Sequence, residues 1–185
     1  QSFGQLSSLM KLGMFRGALE ALPNDFGDRH KALVAVEVVG IRLTALPESI
    51  GNLKNLHTFR FFNNHLTALP SSITKLKNLV NFKVSNNYLT VLPERFSNLE
   101  NLMNLDIANN RLTMLPESIG NLKYLVFLNI FNNRLAVLPE SVGNLKNLLD
   151  LFAWNNTFTS LPDSIGSLFQ ILRFEILALA QVDMS

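Results

Sequence analysis

Apolar residues return along this chain in a fixed rhythm, and the prolines keep time with it. All seven prolines, Pro23, Pro47, Pro70, Pro93, Pro116, Pro139 and Pro162, follow a leucine, with spacings of 24 and then 23 five times. Counted from the leucine four positions before each proline, the central units run Leu43 to His65, Leu66 to Tyr88, Leu89 to Arg111, Leu112 to Arg134 and Leu135 to Thr157. Such strict internal periodicity is the signature of a stack of like units, none of which buries its own apolar face.

Two periods alternate inside each unit. The stretch typified by Leu102, Leu105 and Ile107 ends in period-two alternation, which predicts a short strand with one buried face. Each unit returns to the same edge, so neighbouring strands are parallel and about 4.8 Å apart. Past the proline, Ile or Phe and two leucines stand three residues apart, a spacing suited to 3₁₀ or short α turns. Proline itself ends strand pairing and starts the return, where a fixed φ and a missing N–H are tolerated. The strand is followed by an Asn-Asn doublet whose second member is Asn64, Asn87, Asn110, Asn133 or Asn156. A buried side-chain amide at that position satisfies turn groups that an apolar side chain leaves unpaired.

The array spans residues 1–185 as one domain: a partial unit at 1–18, a 24-residue unit at 19–42, five 23-residue units over 43–157, and a degenerate terminal unit or cap at 158–185. Ser2, Phe3, Gly4, Leu6, Leu9, Leu12 and Met14 fall on unit phases, so the chain reads as starting inside a unit. The Asn position is taken by Gly17, Ile41 and Leu179 in the outer units, where its hydrogen bonding should fail. The apolar tail admits two readings, continued repeat phases through Ile171, Phe174, Ile176 and Leu179, or an amphipathic closing helix with Leu168, Leu172, Ile176 and Leu179 on one face.

The motif LPxSIGxLxxLxxLxIxxNxL, read in residues 43–157, resembles the leucine-rich repeat in its 23-residue proline-containing class. Similar units occur in Ras-pathway scaffolds, in plant intracellular proteins and in bacterial proteins including host-directed effectors. The resemblance implies an α/β repeat fold, a right-handed curved solenoid with a parallel concave β-sheet and a convex side of 3₁₀ or short helical turns. It also implies that Asn64, Asn87, Asn110, Asn133 and Asn156 form an asparagine ladder.

Strand residues between the buried phases point to the concave face, the usual binding surface of solenoids. One column reads Gly13, Glu37, Arg60, Lys83, Asp106, Asn129, Phe152 and Glu175, and its neighbour Phe15, Val39, Phe62, Ser85, Ala108, Phe131, Trp154 and Leu177. With Phe127, these place an aromatic cluster of Phe127, Phe131, Phe152 and Trp154 beside a charged region of Arg60, Lys83 and Asp106. The predicted partner-binding set is Arg60, Phe62, Lys83, Asp106, Phe127, Asn129, Phe131, Phe152 and Trp154, since buried aromatics anchor protein interfaces within a polar surround. Mutual shielding of these aromatics, or cover by a flanking domain, is the competing reading.

Charge and composition narrow the function. The net charge is +2, hydrophobic residues make up 48% and charged residues 16%, which points to a substantial core and away from a dedicated nucleic-acid surface. The absence of cysteine excludes disulfides, thiol nucleophiles and thiolate zinc sites. No apolar run reaches membrane-spanning length, and Gln1 to Gly4 shows no basic start of a signal peptide. A convex row of Lys31, Lys54, Lys77, Lys123 and Lys146, interrupted by Glu100, is expected to be compensated by Glu48, Glu94, Glu117, Glu140 and Asp163 six residues earlier in their units. His30, His57 and His65 share no repeat position with one another, so no metal site, triad or cofactor is expected and the chain is read as a non-enzyme. The sequon at Asn155 is accounted for by the repeated doublet. The expected function is recognition of a protein partner on the concave face. Two alternatives stand beside it: the targeting part of a larger effector or signalling enzyme, and a structural array self-associating end to end through uncapped repeats. Compartment stays open between intracellular and secreted effector-like.

Overall fold

In a computed structural model that describes residues 7–168 and 170–175, eight parallel strands form one sheet in the order of the chain. These are β1 (Lys11–Phe15), β2 (Ala35–Val39), β3 (Thr58–Arg60), β4 (Asn81–Lys83), β5 (Asn104–Asp106), β6 (Phe127–Asn129), β7 (Asp150–Phe152) and β8 (Arg173–Glu175). Register follows the repeat without slippage: Thr58 pairs with Asn81, Asn81 with Asn104 and Asn104 with Phe127. Because a slip by one residue would turn every buried side chain to the open face, the alternation itself pins this register.

The return segments explain the three-residue spacing. In the unit of Pro47, the amides of Ile50, Leu53 and Leu56 donate to the carbonyls of Pro47, Ile50 and Leu53 at 3.0, 3.2 and 3.0 Å, a chain of i to i−3 turns. That geometry eclipses side chains three apart, and Ile50, Leu53 and Leu56 are all fully buried. Five-residue 3₁₀ segments recur at Glu48–Asn52, Ser71–Lys75, Glu117–Asn121, Glu140–Asn144 and Asp163–Ser167, with a three-residue one at Phe96–Asn98. The 24-residue unit, with its extra residue, instead makes a single α turn, α1 (Phe26–Arg29).

Side-chain amides tie the units together. Asn110 accepts from the amide of Leu89, the first residue of its unit, at 3.0 Å, and donates to the Val84 carbonyl of the preceding unit at 3.0 Å and to Ile107 of its own turn at 3.1 Å. Asn87, Asn133 and Asn156 make the corresponding bonds, and Asn64 accepts from the Ile41 and Leu43 amides and donates to the Val38 and Phe62 carbonyls. Ile41 places a buried aliphatic side chain in this column, and Leu179 lies outside the described residues. The first Asn of each doublet has a different task. Asn63, Asn86, Asn109, Asn132 and Asn155 all adopt positive φ, between 51° and 57°, a left-handed conformation that Asn tolerates better than most residues. A further column, not read from the sequence, runs along the opposite loop. There Asn55, Asn78, Asn101 and Asn147 donate to the carbonyls of Lys31, Lys54, Lys77 and Lys123 one unit back.

The interior is a continuous apolar column, densest in aromatics at β3 and β4. Phe59 stacks on Phe82 at 5.0 Å and on Phe61 at 4.2 Å, and Phe96 meets Phe82 edge-on at 5.5 Å. In the Ser-Ile-Gly motif the glycine abuts the next unit: a Cβ on Gly120 would lie 2.6 Å from Ser141 Cβ. At the far end, β8 pairs with β7 in register. Leu168 is buried and Leu172 is 81% exposed, so these two do not share a covered face. Ile176, Leu177 and Leu179, like Ser2, Phe3, Gly4 and Leu6, lie outside the described residues. No described helix is long and apolar enough to cross a membrane.

Candidate functional site

The concave face has three columns, because each strand presents alternate residues. The middle one runs Gly13, Glu37, Arg60, Lys83, Asp106, Asn129, Phe152 and Glu175 in register. The column holding Phe62, Ser85, Ala108, Phe131 and Trp154 continues each strand by two residues. The third is Ala35, Thr58, Asn81, Asn104, Phe127, Asp150 and Arg173, of which only Phe127 belongs to the set expected from the sequence. The same period-two alternation that exposed the other columns was the signal for it.

Charged side chains in the first half of the sheet are held by their neighbours. Lys83 Nζ lies 2.9 Å from Asp106 Oδ2 and 5.0 Å from the centre of the Phe62 ring. The Asp106 carboxylate also accepts from Ser85 Oγ at 3.2 Å and from the Ala108 amide at 3.3 Å. Arg60 approaches Glu37 at 3.8 Å, and Asn104 donates to Asn81 at 2.8 Å. Opposite charges on adjacent strands thus neutralise one another, and each cation keeps a substantial exposed surface, 40% for Lys83 and 48% for Arg60.

The late aromatics form two pairs. Phe127 and Phe152 meet at 5.6 Å between ring centres, and Phe131 and Trp154 at 3.7 Å. Asn129 stands between Phe127 and Phe131 on their strand and its Oδ1 accepts from the Phe131 amide at 3.2 Å. Arg173 lies over the Phe152 ring at 5.6 Å. Trp154 is 36% exposed while Phe127, Phe131 and Phe152 are half-buried, so each pair supports itself and still offers apolar area to solvent. The arrangement sets partly exposed apolar rings beside polar and charged groups held by their neighbours. Among the described residues no three His, Asp or Glu side chains gather as a metal site.

On the convex side, Lys54, Lys146, Glu48 and Glu140 of the mixed-charge row bond to backbone groups. Lys54 Nζ donates to the Gly51 carbonyl at 2.6 Å and Lys146 Nζ to that of Gly143 at 2.7 Å, at the ends of their 3₁₀ segments. Glu48 and Glu140 accept from the amides of Ser72 and Ser164 at the start of the next unit's turn, at 3.1 and 3.3 Å. Free helix-end amides and carbonyls are nearer to these side chains than the opposite charge is. Within the row only Lys77 forms an ion pair among the described residues, with Glu100 at 2.8 Å.

The comparisons with known proteins agree on the architecture. A family model described as a leucine-rich repeat region matches residues 32–111, and one for the single leucine-rich repeat matches residues 101–122. A leucine-rich repeat protein of Leptospira interrogans is similar in structure, with 34% identity and a TM-score of 0.88 over 94% of this chain and 44% of that one. The plant peptide hormone receptor RGFR1, solved in complex with RGF2, has 26% identity and a TM-score of 0.80, covering 94% of this chain and 29% of the receptor. The ectodomain of the Arabidopsis thaliana receptor kinase GASSHO1/SCHENGEN3, solved with CASPARIAN STRIP INTEGRITY FACTOR 2, has 25% identity and a TM-score of 0.79 over 91% of this chain and 21% of its own length. This chain therefore spans less than half the length of each. No curated protein matches it.

Proposed function

The chain is a leucine-rich repeat protein, and from that premise we propose that it recognises a protein or peptide partner on its concave sheet. The fold is commonly an interaction module and typically a non-catalytic scaffold, and the two plant receptors were solved with partners bound. The observation that carries the proposal to particular residues is the double aromatic pair. Phe127 with Phe152 and Phe131 with Trp154 are packed in advance of binding, so little side-chain entropy is lost when a partner covers them. Aromatics of this kind are the usual centres of binding energy. Lys83, Asp106 and Arg60, fixed at the neighbouring strands, supply charge selectivity more than affinity. Asn129 offers a polar group between the two pairs. In the same reading, Asn64, Asn87, Asn110, Asn133 and Asn156 are structural: they form a ladder that keeps the sheet stiff enough to present the site.

The experiment is affinity capture from cell lysates, comparing the parent with the Phe131→Ala/Trp154→Ala variant after circular dichroism shows both to be folded. A protein retained by the parent and lost by the variant supports the site. Equal retention removes the aromatic pairs from it.

A further inference from the structure

The flank of the solenoid that follows each doublet carries a pattern independent of the concave face. In the segment from Arg111 to Glu117 a base, an exposed apolar residue and an acid stand three positions apart: Arg111, Met114, Glu117. The next unit repeats the pattern as Arg134, Val137, Glu140, and the preceding one carries Tyr88, Val91, Glu94. Met114 is 60% exposed and Val91 and Val137 are 49% exposed. Together they line a groove of about 600 Å³ whose lining also includes Glu94 and Glu117. Towards the concave rim, the Arg111 guanidinium lies 4.3 Å from the Tyr88 ring, which the His65 ring stacks against at 5.5 Å.

Scattered exposed apolar residues are ordinary, but three on adjacent units in one groove mark a surface made for contact. The bulk is local, since the same phase carries Ala68 before the groove and Ser160 after it. Among the described residues, none of Arg111, Arg134, Glu94, Glu117 and Glu140 enters an ion pair. The flank thus carries a basic border, an apolar centre and an acidic border, with equal spacing on both sides of the centre.

We infer that this flank binds the same flank of a second copy of the chain, side by side, about a twofold axis running along the apolar row. Such an axis keeps the order of the units and exchanges the two borders. Arg111 then faces Glu117 of the second copy, Arg134 faces Glu140 of the second copy, and Met114 meets Met114. A twofold axis across the row would instead set arginine against arginine, which charge repulsion opposes. Stacking on Tyr88 holds the Arg111 guanidinium in place before contact, so less freedom is lost on pairing. A patch of three units is small beside a standard interface, so the dimer is weak and reversible. It leaves the concave sheet open, and it differs from end-to-end association because no repeat edge is consumed.

Sedimentation equilibrium from micromolar to millimolar protein tests this, with circular dichroism as the fold control for each variant. The chain is expected to dimerise with rising concentration. Met114→Glu, Arg111→Glu and Glu117→Arg are each expected to weaken the dimer about tenfold, because every change acts twice across the axis. The combined Arg111→Glu/Glu117→Arg protein is expected to recover parental association, while Phe131→Ala/Trp154→Ala leaves it unchanged. A chain that stays monomeric throughout, or a dimer indifferent to Met114→Glu, overturns the interface. Failure of the combined exchange to recover association overturns the twofold arrangement.

Discussion

Replacing Gly120 by alanine adds one methyl group at a point where two units touch. The new Cβ would sit 2.6 Å from Ser141 Cβ and closer still to the Ser141 carbonyl oxygen. Backbone cannot swing away as a flexible side chain can, so the units must separate or their turns distort. Overpacking of this kind costs about 1–3 kcal/mol, against which the lower chain entropy of unfolded alanine returns about 0.4–1 kcal/mol. The net expectation is a loss of about 1–2 kcal/mol. Gly166 occupies the same place in the same Ser-Ile-Gly motif, and among the described residues nothing lies within 4 Å of its added Cβ. There only the entropic gain survives, and Gly166→Ala is expected to be neutral or stabilising by up to about 1 kcal/mol. Urea denaturation followed by circular dichroism reads both changes as shifts in midpoint at constant slope. Equal midpoints for the two variants, or a more stable Gly120→Ala, would refute the claim that close approach of successive units is what these glycines serve.

Asn110→Ala removes a buried acceptor and donor that serve both its own turn and the unit before it. The Leu89 amide is then left without its acceptor, while the Val84 carbonyl keeps the Asn87 side chain at 3.0 Å, so stability should fall by about 2 kcal/mol in urea, whereas the exposed Asn101→Ala, which loses one bond to Lys77, should cost about 1 kcal/mol. A double-mutant cycle on Lys83 and Asp106, whose lysine is 40% exposed, should give a coupling of about 0.2–1 kcal/mol that shrinks with added salt. Phe131→Ala should leave Trp154, the single tryptophan, without its stacking partner and shift its fluorescence to the red; an unchanged spectrum would contradict the pair. Burial, and then the Lys75 charge, hold the Lys54 ammonium below its ordinary 10.5. Its folded form therefore binds the proton more weakly than the unfolded chain does, and this group's contribution to stability rises as pH climbs through the folded value towards 10.5. Lys54→Gln should flatten that part of the alkaline stability profile.

Much of the fold was legible because the repeat writes each element several times over. Ile50, Leu53 and Leu56 announce a 3₁₀ return by their spacing, and Leu105 with Ile107 announces a strand. The column Arg60, Lys83, Asp106 could be aligned from the period alone, since parallel strands of identical units stack without offset. The second asparagine column at Asn55, Asn78, Asn101 and Asn147 was equally periodic. It passed unread because those residues sit on an exposed loop, where Asn is ordinary.

What the sequence by itself determined is therefore the periodic part: unit length, strand direction, register, and which side chains share a face. These follow from spacing, because like units packed side by side leave one register that buries the recurring strand and turn leucines. Contacts between particular atoms were decided only by the tertiary structure. It separated four aromatics into two pairs, sent Lys54, Lys146, Glu48 and Glu140 to backbone groups, and set Gly120 against the backbone of Ser141. The reason is physical: a periodic pattern fixes where a side chain starts, whereas its partner depends on what the neighbouring unit places within a few ångströms.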